Sequence, residues 1–336
     1  MVDDPVDDIS MRSTITRRTA IAGAGALVSG TAGCLGDNPR GSDDVNGDGQ
    51  SDGDGGFTVF ATMPAVWDFV RQVAGDHMDV IDLVPVGEHG HDWNPEPGTV
   101  EELDRADGFV YLRDFSSWQD DAARQLEEED GVVVIEASEG IEFFDSPAED
   151  DDEHWWMDPL ECRNGVTNIA EGIGEIDPVH ADDYEANAAS FNEELEALHE
   201  DFADIVERAA LNEIVVGTHD SFQWWNRRYG IEIYSPVGTS PDDAASPQDV
   251  QEIEELIEEF GVEHILYDVG EPATLAKDLA NEVEADILPL SPVETQIDGS
   301  PELDTGIEME PDWGYVDHFR ELNLPSLETA LQAEQD

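Results

Sequence analysis

The sequence predicts an α/β protein of two lobes, each with a parallel β-sheet flanked by helices, joined by one long connecting helix. Three observations predict it. Short apolar runs alternate with helical stretches from Phe57 to about Ile135. The same alternation restarts near Glu213. Between the two blocks, Tyr184, Ala188, Phe191, Leu195, Leu198, Phe202 and Ile205 recur at spacings of four and three, which is one apolar stripe on one helix face. Strand–helix repetition implies parallel strands, because each helix carries the chain back along a sheet face.

The elements follow in order. "FTVFA" from Phe57 is a strand and Ala65–Ala74 a helix. "DVIDLVP" is a strand that ends at "VGEHGHDWNPEPGTV", after which Pro97 starts a helix to about Ala106. "GFVYL" and "GVVVI" are strands, with Trp118–Glu128 a helix between them, and another helix starts near Pro159. Asp177 and Pro178 suit the N-cap and first position of the long helix, which to Arg208 would run about 46 Å. In the second block "EIVVG", "EHILYDV" and "ADILPL" are strands. Ser221–Tyr229, Ser246-capped Pro247–Phe260, Pro272–Val283 and Trp313–Ala333 are helices, and 294–312 is loop.

The formal net charge is −68, from 82 acids against 14 bases, and Lys277 is the single lysine. Such a charge can mean disorder. Here 39% hydrophobic residues and 8 Trp, placed periodically, supply a core. The reading is a folded protein with a carboxylate surface that needs salt screening, as in extreme halophiles. Binding to nucleic acid or to anionic membranes through basic patches is excluded. Two cysteines, Cys34 and Cys162, exclude a disulfide framework, and Cys162 reads as a small, partly buried helix residue.

Residues 1–34 read as a twin-arginine-type signal with a lipobox: Arg17 and Arg18, a short apolar run, then Thr31-Ala32-Gly33-Cys34, with Cys34 as the lipidation site. Residues 35–56 are an acidic Gly/Asp linker. The folded part divides into an N-terminal lobe at 57–176, the connecting helix at 177–209 and a C-terminal lobe at 210–336.

Three of the nine histidines share one context. His91 follows "DVIDLVP", His154 lies in "DDEHWWMDP" ahead of a helix, and His219 follows "EIVVGT". In open α/β sheets ligands gather at the carboxyl ends of strands, and three imidazoles converging there suit zinc or a similar ion. His89 is adjacent and reads mainly as solvated, with metal shuttling as its alternative. His77, His180, His199, His264 and His318 read as structural or solvated. Asp92 and Asp220 follow histidines and read as helix caps or outer hydrogen-bond partners.

From Phe57 onward the chain resembles the zinc- and manganese-specific solute-binding proteins of ABC transporters. "LVPVGEHGHDWNPEP", "DEHWWMDP", "VVGTHDSFQWWNRRYGIE" and "ASPQDV" resemble that family's motifs, in order and spacing. The resemblance implies two βα lobes, a connecting helix and a divalent transition metal held between the lobes by His91, His154 and His219. It also implies an extracytoplasmic receptor that delivers cargo to a membrane permease, lipid-anchored, monomeric and catalysing nothing. Family members often add an aspartate just after the last strand, where this chain has Ser291. Asp268, at the end of "EHILYDV", is the best substitute as fourth ligand, ahead of Glu271 and Glu294. Three imidazoles without that aspartate favour zinc over manganese. The alternatives are a secreted zinc-dependent hydrolase, for which His89-Gly90-His91 is the supporting pair, and an adhesin-like surface protein with a structural metal.

Overall fold

A computed structural model describes residues 56–336 except 92, 129–130, 148, 242–244, 302–305 and 335–336. The signal with Cys34, and Asp92, lie outside the described residues. In the first lobe the elements are β1 (Thr58–Ala61), α1 (Pro64–Ala74), β2 (Asp79–Asp82), α2 (Pro97–Leu103), β3 (Gly108–Tyr111), α3 (Ser117–Glu128), β4 (Val133–Glu136) and α4 (Pro159–Ile176). The long α5 (Ala181–Arg208) follows. The second lobe has β5 (Glu213–Val216), α6 (Gln223–Tyr229), β6 (Glu232–Tyr234), α7 (Pro247–Phe260), β7 (His264–Asp268), α8 (Thr274–Val283), β8 (Asp286–Leu290), α9 (Tyr315–His318) and α10 (Leu324–Ala330).

Both sheets are four-stranded and parallel, ordered β2-β1-β3-β4 and β6-β5-β7-β8. The same order in both lobes puts equivalent strand ends in equivalent places. Every residue of β3 and most of β7 is buried, as parallel strands covered by helices on both faces must be.

Local chemistry sets the helix starts. Pro64, Pro97, Pro159 and Pro247 each occupy the first turn, where a missing N–H costs nothing. Asp158 caps α4 by accepting from Leu160 N, and Ser246 and Asp249 close a reciprocal capping box on α7.

The stripe on α5 is buried as the periodicity predicts, from Tyr184 to Ile205. At 28 residues the helix runs about 42 Å. It starts three residues later than Pro178, because Asp177 does not cap it. Asp177 instead accepts from Val179 N and meets the ring of His180, so 178–180 form a turn. One apolar cluster runs from Val59 and Phe69 in the first lobe, through the α5 stripe, to Ile214, Trp225 and Leu290 in the second. Burying a single Leu or Phe contributes about 1.5–3 kcal/mol, so this shared stripe outweighs any hydrogen bond between the lobes.

Three indoles nevertheless tie the lobes directly. Trp156 Nε1 donates to Pro292 O (2.8 Å), Trp225 Nε1 to Met157 O (2.9 Å) and Trp224 Nε1 to Asp152 O (3.2 Å). Cys162 is fully buried rather than partly so, with its thiol against Trp156 O and Tyr315 Oη. Burial pushes that thiol well up, which leaves it unreactive.

The C-terminal helix differs most from expectation. Between α9 and α10 the chain makes a π turn over Phe319–Asn323. Pro325 explains it: its ring would clash with the carbonyl of Glu321 in a regular helix, and the wider turn relieves that. Among the described residues no helix is long and apolar enough to cross a membrane.

Candidate metal centre

His91, His154 and His219 come together, and the carboxylate among them is Glu294. Each arrives by a different local device. Beyond β2 the histidine loop lies along the segment after β8: Gly87 N donates to Gln296 O (2.8 Å) and Gly90 N to Glu294 O (3.1 Å). At Gly90 the approach is close: a Cβ would sit 3.3 Å from both the Glu294 carbonyl and the Phe115 ring, which would have to give by a few tenths of an ångström. The Phe115 ring backs His91 at 4.2 Å.

His154 stands just before a 3₁₀ turn, Trp155–Met157. Asp152 Oδ1 accepts from its backbone N (3.0 Å) and meets its Nδ1 (3.1 Å), so Nε2 points into the site. His219 follows β5 through Gly217, whose Cβ position would lie 2.7 Å from Ala276 Cα. Its Nδ1 bonds Glu271, and its Nε2 faces both Ser221 Oγ (2.5 Å) and Glu294.

Glu294 arrives by a turn. Ser291 follows β8 and is clamped: Ser291 N donates to Asn323 Oδ1 (2.8 Å), Asn323 Nδ2 donates back to Ser291 O (2.8 Å), and Ser291 Oγ meets His318 Nδ1 (2.9 Å). Val293 then adopts φ 60°, a left-handed conformation costly for a β-branched residue. The strain swings the Glu294 side chain back over the strand ends.

The ligating atoms fit one small cation. His91 Nε2 lies 3.3 Å from His154 Nε2, and Glu294 oxygens lie 3.4 Å from His91, 3.6 Å from His219 and 3.7 Å from His154 Nε2. Four atoms around one tetrahedral zinc stand about 3.3–3.4 Å apart. Glu294 is fully buried, and neither of its carboxylate oxygens accepts a hydrogen bond. A buried, unsatisfied carboxylate is expensive unless a cation meets it.

The charges agree. Burial would raise the Glu294 carboxyl, but attraction to His91, His219 and His89 holds it well below the usual carboxylate range. His91 is pushed well below its usual range by burial and by the neighbouring imidazoles, against the pull of Glu294. Burial would also lower His154, but Glu153 and Asp152 outweigh it and lift the imidazole to about 9. His219 is likewise raised, against burial, by Glu294 and Glu271.

Asp268, expected as the fourth ligand ahead of Glu271 and Glu294, is engaged elsewhere, and so is Glu271. Asp268 Oδ1 accepts from Gly270 N (2.8 Å) and Oδ2 meets His89 Nε2 (3.3 Å), while Glu271 orients His219. Asp268 does lie in a second group with His89, His219 and Glu271 whose atoms are within 4.8 Å. His89 is buried, not solvated; burial lowers its proton affinity, but the bond to Asp268 raises it on balance. Ser291 is buried in its clamp and faces no imidazole of the cluster. Asp220 takes an outer position, accepting from Gln223 Nε2 (2.6 Å). His318, expected to be structural, is fully buried and neutral, its pKa lowered to about 4 by burial.

The family described as zinc-uptake complex component A, periplasmic (ZnuA) matches residues 59–321. The high-affinity zinc uptake system protein ZnuA of Bacillus subtilis is 26% identical over 315 residues, covering 89% of this chain and 93% of its own. The zinc-binding protein AdcA of Streptococcus pyogenes is 25% identical over 264 residues, and there the chain spans only 51% of the relative's length. Among solved structures, the laminin binding protein Lmb of Streptococcus agalactiae, described as bifunctional with adhesin and metal transporting activity, has a TM-score of 0.70 at 27% identity. That match covers 82% of this chain and all of the other.

Proposed function

Because this chain belongs to the family of periplasmic zinc-uptake complex component A proteins, we propose that it is the extracytoplasmic receptor of a metal-uptake ABC transporter. It captures one zinc ion with His91, His154, His219 and Glu294 and passes it to a membrane permease. The observation that carries this is Glu294, buried with both carboxylate oxygens unpartnered and faced by three imidazole nitrogens.

The residues divide the work. Asp152 and Glu271 each hold one histidine by Nδ1, so that Nε2 presents a lone pair. Glu294 supplies the single negative charge, and three nitrogens with one oxygen suit zinc better than manganese. Four protein ligands close a tetrahedron and leave no open position of the kind catalytic zinc uses, which favours a carrier over a hydrolase. Cys34 would anchor the chain to the outer membrane face through lipid, with residues 35–56 as tether, and the receptor would act as a monomer.

Zinc titration tests the reading. Wild type should bind one tight ion per chain. Alanine at His91, His154 or His219 should each weaken it by more than the roughly 10–100-fold that loss of an outer hydrogen bond costs. Wild-type affinity in two of the three variants would remove the site.

A further inference from the structure

A second cluster of metal-ligating side chains lies away from this centre. His77 sits in the turn between α1 and β2, and His180 and Asp183 sit at the head of α5. Their ligating atoms lie within 4.8 Å of one another. His77 leads into the amino end of β2, whereas the loop of His91 leaves its carboxyl end, so the two clusters occupy opposite rims of the first sheet.

The cluster is built rather than accidental in three respects. The rings of His77 and His180 stack with centroids 4.0 Å apart and 18° between planes, and Tyr184 meets His77 edge-on at 5.8 Å, so one imidazole turns out of the stack when both lone pairs meet one ion. His180 Nδ1 bonds Asp177 Oδ2 at 2.6 Å. Asp177 is itself held by Val179 N (3.2 Å) and Tyr184 Oη (3.1 Å), and the bond to His180 keeps its carboxyl below the usual range. An ionised carboxylate only accepts, so His180 donates from Nδ1, which leaves Nε2 as the nitrogen free to meet a metal. Such carboxylate–histidine pairs hold imidazoles for metals. Third, Asp183 Oδ2 stands 3.5 Å from His77 Nε2, which adds an anionic oxygen to two nitrogens.

We propose that His77, His180 and Asp183 form a second, weaker site for a divalent transition ion of the zinc class. Two imidazoles and one carboxylate select zinc, nickel or copper over magnesium and calcium, which prefer all-oxygen sets. The site is half-open, with His77, His180 and Asp183 side chains 34%, 39% and 62% exposed, so water completes the coordination and exchange is fast. Bound metal would pin the turn after α1 to the head of α5.

The test is a zinc titration of the full chain in molar salt with excess magnesium, which saturates carboxylate-only sites. Wild type should show a tight and a weaker class of ion. His77→Ala and His180→Gln should each weaken the second class at least tenfold and leave the tight class unchanged. Asp183→Asn, at an exposed position that cannot unfold the core, should weaken the second class too. His91→Ala should abolish only the tight class. A single class in wild type, or a second class unaltered in all three variants of the cluster, would overturn the proposal. Absence of the tight class alone would count against the receptor reading and not against this site.

Discussion

His91 Nε2 and His154 Nε2 face each other at 3.3 Å inside the protein. Two imidazole lone pairs do not rest at that distance without a proton or a metal ion between them. His91 is held neutral, and His154, lifted to about 9, keeps its second proton at neutral pH. A zinc ion held by both Nε2 atoms would displace that proton. At pH 7 binding should therefore release a proton, and affinity should climb as pH rises toward 9, about tenfold per unit for each proton displaced. Calorimetry in two buffers of different ionisation heat measures the release; equal heats would contradict the placement.

Glu294 and Asp268 can be separated by substitution. Glu294→Gln removes the charge that the three imidazoles face, and zinc affinity should fall by orders of magnitude. Asp268→Asn, which alters the partner of His89 only, should cost far less. Competition titration of both variants against a chelator decides the order, and the reverse ranking would return the fourth position to Asp268.

Asp82 should destabilise the fold when it ionises. Burial raises its carboxyl to about 7, opposed only by the amide of Val84. A raised carboxyl contributes stability below the ordinary carboxylate range and loses it as pH rises through about 7. The linkage ceiling is about 4 kcal/mol, and partial exposure reduces it to about 1–2 kcal/mol. Asp82→Asn should thus raise the melting temperature at pH 8 and leave it little changed at pH 4. An unaltered difference between the two pH values would refute this.

Trp156→Phe should loosen the site without replacing a ligand, although the indole also packs on His154 at 5.1 Å. It removes the indole that donates to Pro292 O, two residues before Glu294, and leaves a buried carbonyl unpaired at a cost of about 1–3 kcal/mol. Zinc should leave faster, as stopped-flow transfer to a chelator would show. Unchanged release would mean that Glu294 is positioned by the Ser291 clamp alone.

Much of this architecture is legible in sequence because it follows from periodicity. The α5 stripe and the apolar strands are patterns of single residues, and each histidine of the cluster stands within a few residues of a strand or helix end. Glu294 is not legible in the same way. It lies four residues past β8, and only the left-handed turn at Val293 brings it back, a conformation that a valine does not advertise. Asp268 looked better placed because it ends a strand, yet its carboxylate turns to its own loop amide and to His89. His89 reads as solvated from its acidic neighbours, and that bond is what buries it. The stacking of His77 on His180 joins residues a hundred positions apart and has no local signal.

The clamp on Ser291 has a consequence for how the protein comes into being. All four residues of the candidate metal centre are synthesised before His318 and Asn323. Until those two arrive, Ser291 lacks the partners that clamp it after β8. A nascent or truncated chain ending before His318 thus carries every candidate ligand without this clamp. The strand end that precedes Glu294 is completed last, from the C-terminal side.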